Sequence, residues 1–154
     1  ATSEERQLYQ LPSALDSFDY LNRSGCTSIA GVDDAAAFQG IKLAMSAVGI
    51  TSQQQQSIFS VLSAILWLGN IRFQPLSEDA VAVAPASGEA VQRAAALLRC
   101  PEAALYAALT QRKLVAGGEL ITRHLNLDAA LDNRDALAKA LYAELFSWLV
   151  DQVH

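Results

Sequence analysis

The feature that most restricts the fold of this chain is a long apolar helical segment near its C-terminal end. The segment starts near Asn126 or Asp128, reaches Val153, and is apolar on nearly every side between Leu137 and Val150. A helix that is apolar all round is normally buried by its neighbours. We therefore expect this helix to be covered on all sides, and we expect that a chain of 154 residues does not cover it unaided.

The same segment does not match a membrane span. Ala136 to Val150 is interrupted by Lys139, Glu144 and Ser147, whereas a spanning helix needs roughly 20 apolar residues. The stretch from Ala1 to Tyr9 mixes acidic and basic residues and lacks the apolar run of a signal peptide. We expect no membrane insertion and no secretion, and hence a cytoplasmic protein.

The composition also indicates a chain that is covered by other protein. Hydrophobic residues make up 52% and charged residues 18% of the sequence, which is more apolar than an average small domain. The net charge of −5 provides no positive field for the phosphates of a nucleic acid. The two histidines and two cysteines do not fall at metal-ligand spacings. We therefore expect no nucleic-acid partner and no metal site.

Helix start and stop signals divide the first half of the chain. They predict helices from Ser3 until Pro12, from Ala14 to Leu21, from Asp33 to Gly49 and from Thr51 to Asn70. In the third helix, helical spacing predicts a core face made of Phe38, Ile41, Met45 and Val48. The fourth opens with a capping box, Thr51 with Gln54 three residues later. Gly69 and Asn70 predict a left-handed stop at its end.

Strand and turn signals organise the second half. Ile71 to Phe73 and Val81 to Val83 alternate around a polar loop from Pro75 to Asp79, which predicts an irregular hairpin. Two further helices are expected, from a Ser87 cap to Leu98 and from Pro101 through Leu109.

A second hairpin is predicted beyond these helices. The extended pieces Arg112 to Ala116 and Glu119 to Arg123 flank Gly117 and Gly118. A Gly-Gly pair readily adopts the positive φ angles that a two-residue hairpin turn requires. We expect this hairpin to project from the helical body.

Four stretches of the sequence resemble one region of the myosin head, between its first and second nucleotide switches. They are YLNRSGCTSIAGVDDAAAF (Tyr20 to Phe38), ILWLGNIRF (Ile65 to Phe73), TQRKLVAGGELITR (Thr110 to Arg123) and RDALAKALYAELFSWLV (Arg134 to Val150). With their spacings, these stretches cover nearly the whole chain in one order. The resemblance identifies residues 1–154 as an internal piece of a myosin motor domain. The tryptophan in ILWLGN and the ending WLVDQV are similar to plant and green-algal class VIII myosins.

The resemblance implies a mainly α fold, the helical upper 50-kDa subdomain with a small projecting β-hairpin. It also implies part of an actin-based, ATP-driven motor of the cytoskeleton, with F-actin and the remaining head as partners and MgATP bound by the parent motor. The GxxxxGK[ST] phosphate loop and both switches are missing from these residues. We therefore expect no catalytic residue here, and this piece lacks the ATP site.

The resemblance further implies an actin-facing loop, the cardiomyopathy-type loop, at Gln111 to Arg123. Glu119 lies 16 positions before Asp135, at the position that is acidic or phosphorylatable in myosins. A carboxylate there permanently carries the negative charge that phosphorylation would otherwise add. The actin-binding residues implied in this way are Arg112, Lys113, Gly117, Gly118, Glu119 and Arg123. Gln74 to Val81 matches myosin loop 4, a second element that can approach the filament.

Other interpretations stay open from the residues alone. Glu119 and its basic neighbours also fit the ordinary surface charge of a solvated hairpin. The apolar surplus also fits a non-enzymatic helical protein-interaction domain. Trp67, Trp148 and Lys139 are interpreted as structural, and Lys139 is expected to be buried and to need a partner or a route to solvent. A small enzyme is the least supported interpretation, since the spacing of the residues does not indicate a nucleophile, a base and an orienting group that lie together.

Overall fold

The computed structural model describes residues 1–26 and 28–153, and this part of the chain is mainly helical with two small antiparallel sheets. The helices are α1 (Ser3–Leu8), α2 (Asp34–Ala47), α3 (Ser52–Gly69), α4 (Gly88–Leu98), α5 (Glu102–Thr110) and α6 (Leu127–Val153). The strands form two hairpins, β1 (Phe73–Ser77) with β2 (Ala80–Val83), and β3 (Gln111–Ala116) with β4 (Glu119–His124). No described helix combines the length and the apolar character that crossing a membrane requires.

The core lies around α3, which packs against α4 and α6. Its members with no exposed surface include Ala64, Leu68, Ile71, Ala94 and Leu109. The ring of Phe18 stands edge-on to Trp67, with the ring centroids 5.1 Å apart. The indole N–H of Trp67 donates to the carbonyl of Gln10 at 3.0 Å. Trp67 is therefore a packing residue whose polar atom has a partner, which agrees with its interpretation as structural.

Local signals set the start of α3, and tertiary contacts set its end. The capping box is confirmed: the Gln54 N–H donates to Thr51 Oγ1 at 3.3 Å, and the Thr51 N–H donates to Gln54 Oε1 at 2.8 Å. The predicted left-handed stop is wrong, because Asn70 stays right-handed at φ −87°. Its side chain accepts the Asp19 N–H at 3.0 Å and donates to the Ser17 carbonyl at 2.6 Å.

The predicted helix from Ala14 to Leu21 is also wrong. Only a single 3₁₀ turn forms, at Leu15–Ser17, and Phe18 follows in an extended conformation. Phe18 is buried in the core, and the next backbone N–H is bonded to the end of α3. These tertiary contacts outweigh the local helical preference of the segment. The first helix likewise ends earlier than predicted, at Leu8.

The second helix, α2, follows its predicted start but not its predicted burial. Asp33 caps it by accepting two backbone N–H groups at 3.0 Å. Phe38 and Met45 are half-buried, but Ile41 and Val48 are about half exposed, and α2 has no buried residue. The prediction of a core face is therefore wrong for this chain, because its described residues do not cover that side of α2.

The last helix, α6, starts as predicted after Asn126, whose side chain accepts a backbone N–H of the first turn at 2.9 Å. Its buried residues are Ala130, Arg134 and Ala138. This chain therefore does not cover α6 on all sides by itself, as expected. The expectation of a buried Lys139 is wrong within the described chain, since Lys139 is exposed. Trp148 is half-buried beside α3. The chain covers part of this helix and leaves much of its second half in solvent.

Two details around the first hairpin also differ from expectation. Ser87 precedes α4 as predicted, but its hydroxyl does not cap that helix. The hydroxyl accepts the Arg72 N–H at 2.8 Å and donates to the Asn70 carbonyl at 3.4 Å. The predicted strand from Ile71 to Phe73 is wrong, because the strand begins at Phe73 and continues past Pro75 to Ser77 with an irregularity in the register. The predicted loop is therefore shorter than expected.

Candidate functional site

The β3–β4 hairpin leaves the helical body from a buried base. The first strand begins directly after Thr110, the last residue of α5, and Leu109 and Thr110 are 0% and 1% exposed. The Thr110 hydroxyl donates to the Tyr106 carbonyl at 2.8 Å, and the Leu125 N–H donates to the Thr110 carbonyl at 3.0 Å. The two ends of the hairpin are thus hydrogen-bonded to each other at its buried base, where polar groups need partners.

The tip of this hairpin is the predicted two-residue turn. Gly117 and Gly118 have φ angles of 62° and 86° and lie between Ala116 and Glu119, the last pair of the register. Positive φ at both central residues matches a type I′ turn, which side chains other than those of glycine, asparagine and aspartate rarely tolerate. Every residue of β4 is exposed. The hairpin therefore projects from the helical body, as predicted.

The register assigns each charged residue of the hairpin to a face, because side chains alternate along a strand. One face carries, from base to tip, Arg112 opposite Arg123, Leu114 opposite Ile121, and Glu119. Lys113 lies on the other face, opposite Thr122. Four residue steps separate Arg123 from Glu119, about 14 Å along the strand. The basic and acidic groups of the first face are therefore too far apart to neutralise each other by direct contact.

The sequence analysis missed the apolar part of this surface. Val115, Leu120 and Ile121 are 75%, 64% and 43% exposed near the tip. The consecutive apolar residues Leu114 with Val115 and Leu120 with Ile121 carried the signal, because adjacent strand residues point to opposite faces and a projecting two-stranded hairpin has no core to receive both. Such exposed apolar side chains often mark a contact surface. The hairpin surface is therefore basic near its base and both apolar and acidic near its tip.

A polar cluster joins α6, about two turns from its first residue, to the loop that contains Tyr20. The Tyr20 hydroxyl donates to Asp135 Oδ1 at 2.5 Å, and Arg134 Nε donates to the same oxygen at 2.9 Å. Burial, and then the hydrogen bond to Asp135, raises the pKa of Tyr20 to about 12. Burial acts to raise the pKa of Asp135, but the hydrogen bonds from Tyr20 and Arg134 outweigh it and hold that pKa below its ordinary value. Sequence spacing gave no signal for this cluster, because Tyr20 and Asp135 are 115 residues apart.

The β1–β2 hairpin covers the segment expected to match loop 4. Its turn is formed by Glu78 and Asp79, and Leu76 beside it is 66% exposed. It belongs to a different sheet from the β3–β4 hairpin. Over residues 1–26 and 28–153, no group of three or more histidine, cysteine, aspartate or glutamate residues is placed to hold a metal ion.

Comparison with known proteins decides the family. The family model described as myosin head (motor domain) matches residues 1–154, the whole chain. This chain belongs to the myosin head family. Similar myosins of Arabidopsis thaliana include Myosin-3, 39% identical over 149 residues, Myosin-2, 42% identical over 137 residues, and Myosin-17, 40% identical over 156 residues. The predicted resemblance to a myosin head is confirmed.

The alignments cover 97%, 89% and 100% of this myosin head segment, but only 13%, 11% and 10% of those three relatives. The segment thus corresponds to about a tenth of a complete myosin of this kind. The plant origin of the relatives agrees with the predicted likeness to plant myosins, and the class VIII assignment stays a prediction.

Proposed function

We propose that this segment belongs to the upper 50-kDa subdomain of an actin-based, ATP-driven motor, and that its β3–β4 hairpin, from Gln111 to Arg123, faces F-actin. The observation that carries the proposal is a hairpin with a fully exposed outer strand and a buried base, in a chain that matches the myosin head throughout. A contact element has to be both accessible and held in place by its scaffold. We also propose that the protein is cytoplasmic and associates with the cytoskeleton.

Glu119 is the acidic contact in this proposal. It is exposed directly beside the turn, and it takes part in no ion pair of the described chain. A carboxylate is always charged at neutral pH, whereas a serine or threonine acquires negative charge only after phosphorylation. The motor would therefore need no heavy-chain kinase to charge this position.

Arg112 and Arg123 form the basic contact. They lie directly opposite each other in the register, and like charges placed this way destabilise a hairpin by roughly 0.2–1 kcal/mol. Acidic groups on a partner surface would relieve that repulsion on binding. Lys113 points to the other face and contributes to attraction at a distance, so its removal should act mainly on the association rate.

The remaining head is the second partner in the proposal. Exposed apolar residues recur along one side of α6, namely Tyr142, Phe146, Val150 and Val153. The segment spans 13% of Myosin-3, so a complete myosin has ample chain to cover this side. The rest of the head would also bind MgATP, and the residues of this segment would act in filament contact rather than in phosphoryl transfer.

A helical protein-interaction domain without motor activity is the second candidate, and the same exposed side of α6 favours it. The two candidates differ in what covers that side, either the same polypeptide or a separate protein. A transcript that encodes a phosphate loop upstream and a second nucleotide switch downstream would support the motor. A transcript that lacks both would support the interaction domain.

The direct test changes the charge of Glu119 in the intact head. We expect Glu119→Lys to raise the actin concentration needed for half-maximal ATPase activation by roughly fivefold, which corresponds to about 1 kcal/mol of contact energy. Glu119→Gln should have a smaller effect in the same direction. The matched control is Glu102→Gln, an exposed glutamate at the opposite end of α5 from the hairpin. An equal loss of activity with and without actin would refute the contact and indicate a folding defect.

A further inference from the structure

Three consecutive residues of α6 bind three different elements of the fold. The side-chain amide of Asn133 donates to the Ala108 carbonyl of α5 at 2.6 Å. The guanidinium of Arg134 donates to the Ile71 carbonyl, between α3 and β1, at 2.9 Å. Asp135 accepts the hydroxyl of a tyrosine from the N-terminal loop at 2.5 Å. We call these three residues of α6 the 133–135 anchor.

The anchor restrains α6 against rotation. Successive helical residues are about 100° apart, so three of them span about 200° of the circumference. The helix cannot turn about its axis without breaking at least one of the three contacts. Arg134 is 6% exposed, and breaking a buried bond to a charged group is costly. The ring of Tyr20, the partner of Asp135, lies against Gly69, where an added Cβ would be 2.7 Å from the ring.

The two helices that the anchor joins are also the two that carry the β3–β4 hairpin. The first strand continues directly from α5, and the second strand leads through Leu125 and Asn126 into α6. The angle of the hairpin therefore follows the relative placement of these helices. The Asn133 contact joins them directly, and it lies about 9 Å along α6 from its first residue.

We propose that Tyr20, Asn133, Arg134 and Asp135 are positioning residues that hold the β3–β4 hairpin at one angle to the helical body. Their consequence for filament binding rests on the proposed function of the hairpin, whereas their effect on its orientation does not. A contact element that is already oriented loses less freedom on binding than one that samples many angles. The positioning residues would act through the hairpin and would not touch the filament themselves.

The test uses the intact head with two spin labels, one on the hairpin at Thr122→Cys and one on α4 at Ala96→Cys, with other reactive cysteines replaced. Both positions are exposed. We expect Tyr20→Phe, Asp135→Asn and Asn133→Ala to broaden the distance distribution between the labels. We also expect them to raise the actin concentration for half-maximal activation by roughly twofold to fivefold. The double variant Tyr20→Phe with Asp135→Asn should be no worse than Asp135→Asn alone, because the Tyr20 hydroxyl acts through that carboxylate.

Two control variants make comparable chemical changes at exposed positions outside the side of α6 that the remaining head would cover. Gln92→Ala removes a side-chain amide from α4, and Asp132→Asn removes a charge from a neighbour of the anchor. Both should leave the distance distribution unchanged. An unchanged distribution in the three anchor variants overturns the positioning role, whatever Glu119→Lys does to actin activation. A broadened distribution supports the positioning role. If the distribution broadens but actin activation responds neither to Glu119→Lys nor to the anchor variants, the proposed contact between the hairpin and actin is refuted.

Discussion

Gly69 occupies the last turn of α3 because Tyr20 leaves no room for a side chain there. A Cβ at this position would lie 2.7 Å from Cδ2 of the tyrosine ring, well inside ordinary contact distance. The ring cannot move away freely, since its hydroxyl is bonded to Asp135. The sequence analysis expected this glycine to end the helix through its conformational freedom. In the structure, this position instead requires glycine because it has no side chain.

We expect Gly69→Ala to lower the free energy of unfolding, because overpacking usually costs about 1–3 kcal/mol. The higher helix propensity of alanine offsets up to about 1 kcal/mol of this loss. The matched control is Gly40→Ala in α2, where an added Cβ meets nothing within 4 Å. That change should stabilise the chain by about 0.5–1 kcal/mol. Urea unfolding measures both variants, and equal stabilisation by the two would contradict the close contact with Tyr20.

The contact between Tyr20 and Asp135 should make stability depend on pH at both extremes. The lowered pKa of Asp135 means that its contribution is complete above 3.8 and is lost as the pH falls through the lower, folded-state value. The raised pKa of Tyr20 means that its contribution is complete below 10 and is lost as the pH rises through about 12. The difference in unfolding free energy between the unmodified chain and Asp135→Asn should therefore be largest between these limits. If this difference in unfolding free energy instead grew as the pH fell below 3.8, the expected contribution of the Asp135 carboxylate to stability would be contradicted.

At the scale of elements, the sequence predicted features that depend on a few neighbouring residues. The capping box at Thr51 and the turn at Gly117 are local in this sense, and both are present. The features it missed depend on distant partners, because the end of α3 is bonded to Ser17 and Asp19. The hydroxyl of Ser87 is similarly taken by the loop after α3. A short window cannot reveal such contacts, so propensity gave the wrong result there.

The β3–β4 hairpin should tolerate only residues that accept positive φ at its turn. We expect Gly117→Asn to preserve the hairpin, since Asn-Gly is a favoured type I′ pair. Gly117→Val should destabilise it by about 1–2 kcal/mol, because a β-branched residue is strained in this region. Hydrogen exchange of the strand amides in the head measures both. Similar protection in the two variants would argue against the turn geometry.

At the scale of the whole molecule, the distribution of apolar surface is uneven. The core around α3 and α4 is dry, while α2 and the second half of α6 keep apolar residues in solvent. The sequence analysis was right that this chain does not cover its last helix unaided, and wrong in expecting the chain to bury a core face of α2. The difference arises because apolar periodicity shows that a face will be covered but does not show by which part of a protein.

This uneven surface predicts the behaviour of the chain on its own. We expect the 154-residue chain to bind the dye ANS strongly, since exposed apolar surface is what the dye reports. Phe146→Glu should reduce the dye signal, whereas the control Gln92→Glu, at an exposed polar position of α4, should not. In the intact head, the same Phe146→Glu change should instead lower stability. A chain that binds no dye would contradict the exposed face of α6.

The candidate site was predictable in part. Glu119 and the glycine turn followed from short sequence patterns and a family resemblance, and the structure places both on an exposed hairpin. The division of the charges between two faces needed the strand register, which spacing alone did not supply. The 133–135 anchor needed three-dimensional contacts between residues far apart in sequence.

The central claim is that the β3–β4 hairpin touches the filament with Glu119 at the contact. A cryo-electron microscopy reconstruction of F-actin decorated with the intact, nucleotide-free head tests this most directly. We predict that the turn and the exposed residues next to it lie against an actin subunit, with the carboxylate of Glu119 facing a basic or hydrogen-bonding group. A reconstruction in which the hairpin points away from the filament, or is covered by the head itself, would contradict the account.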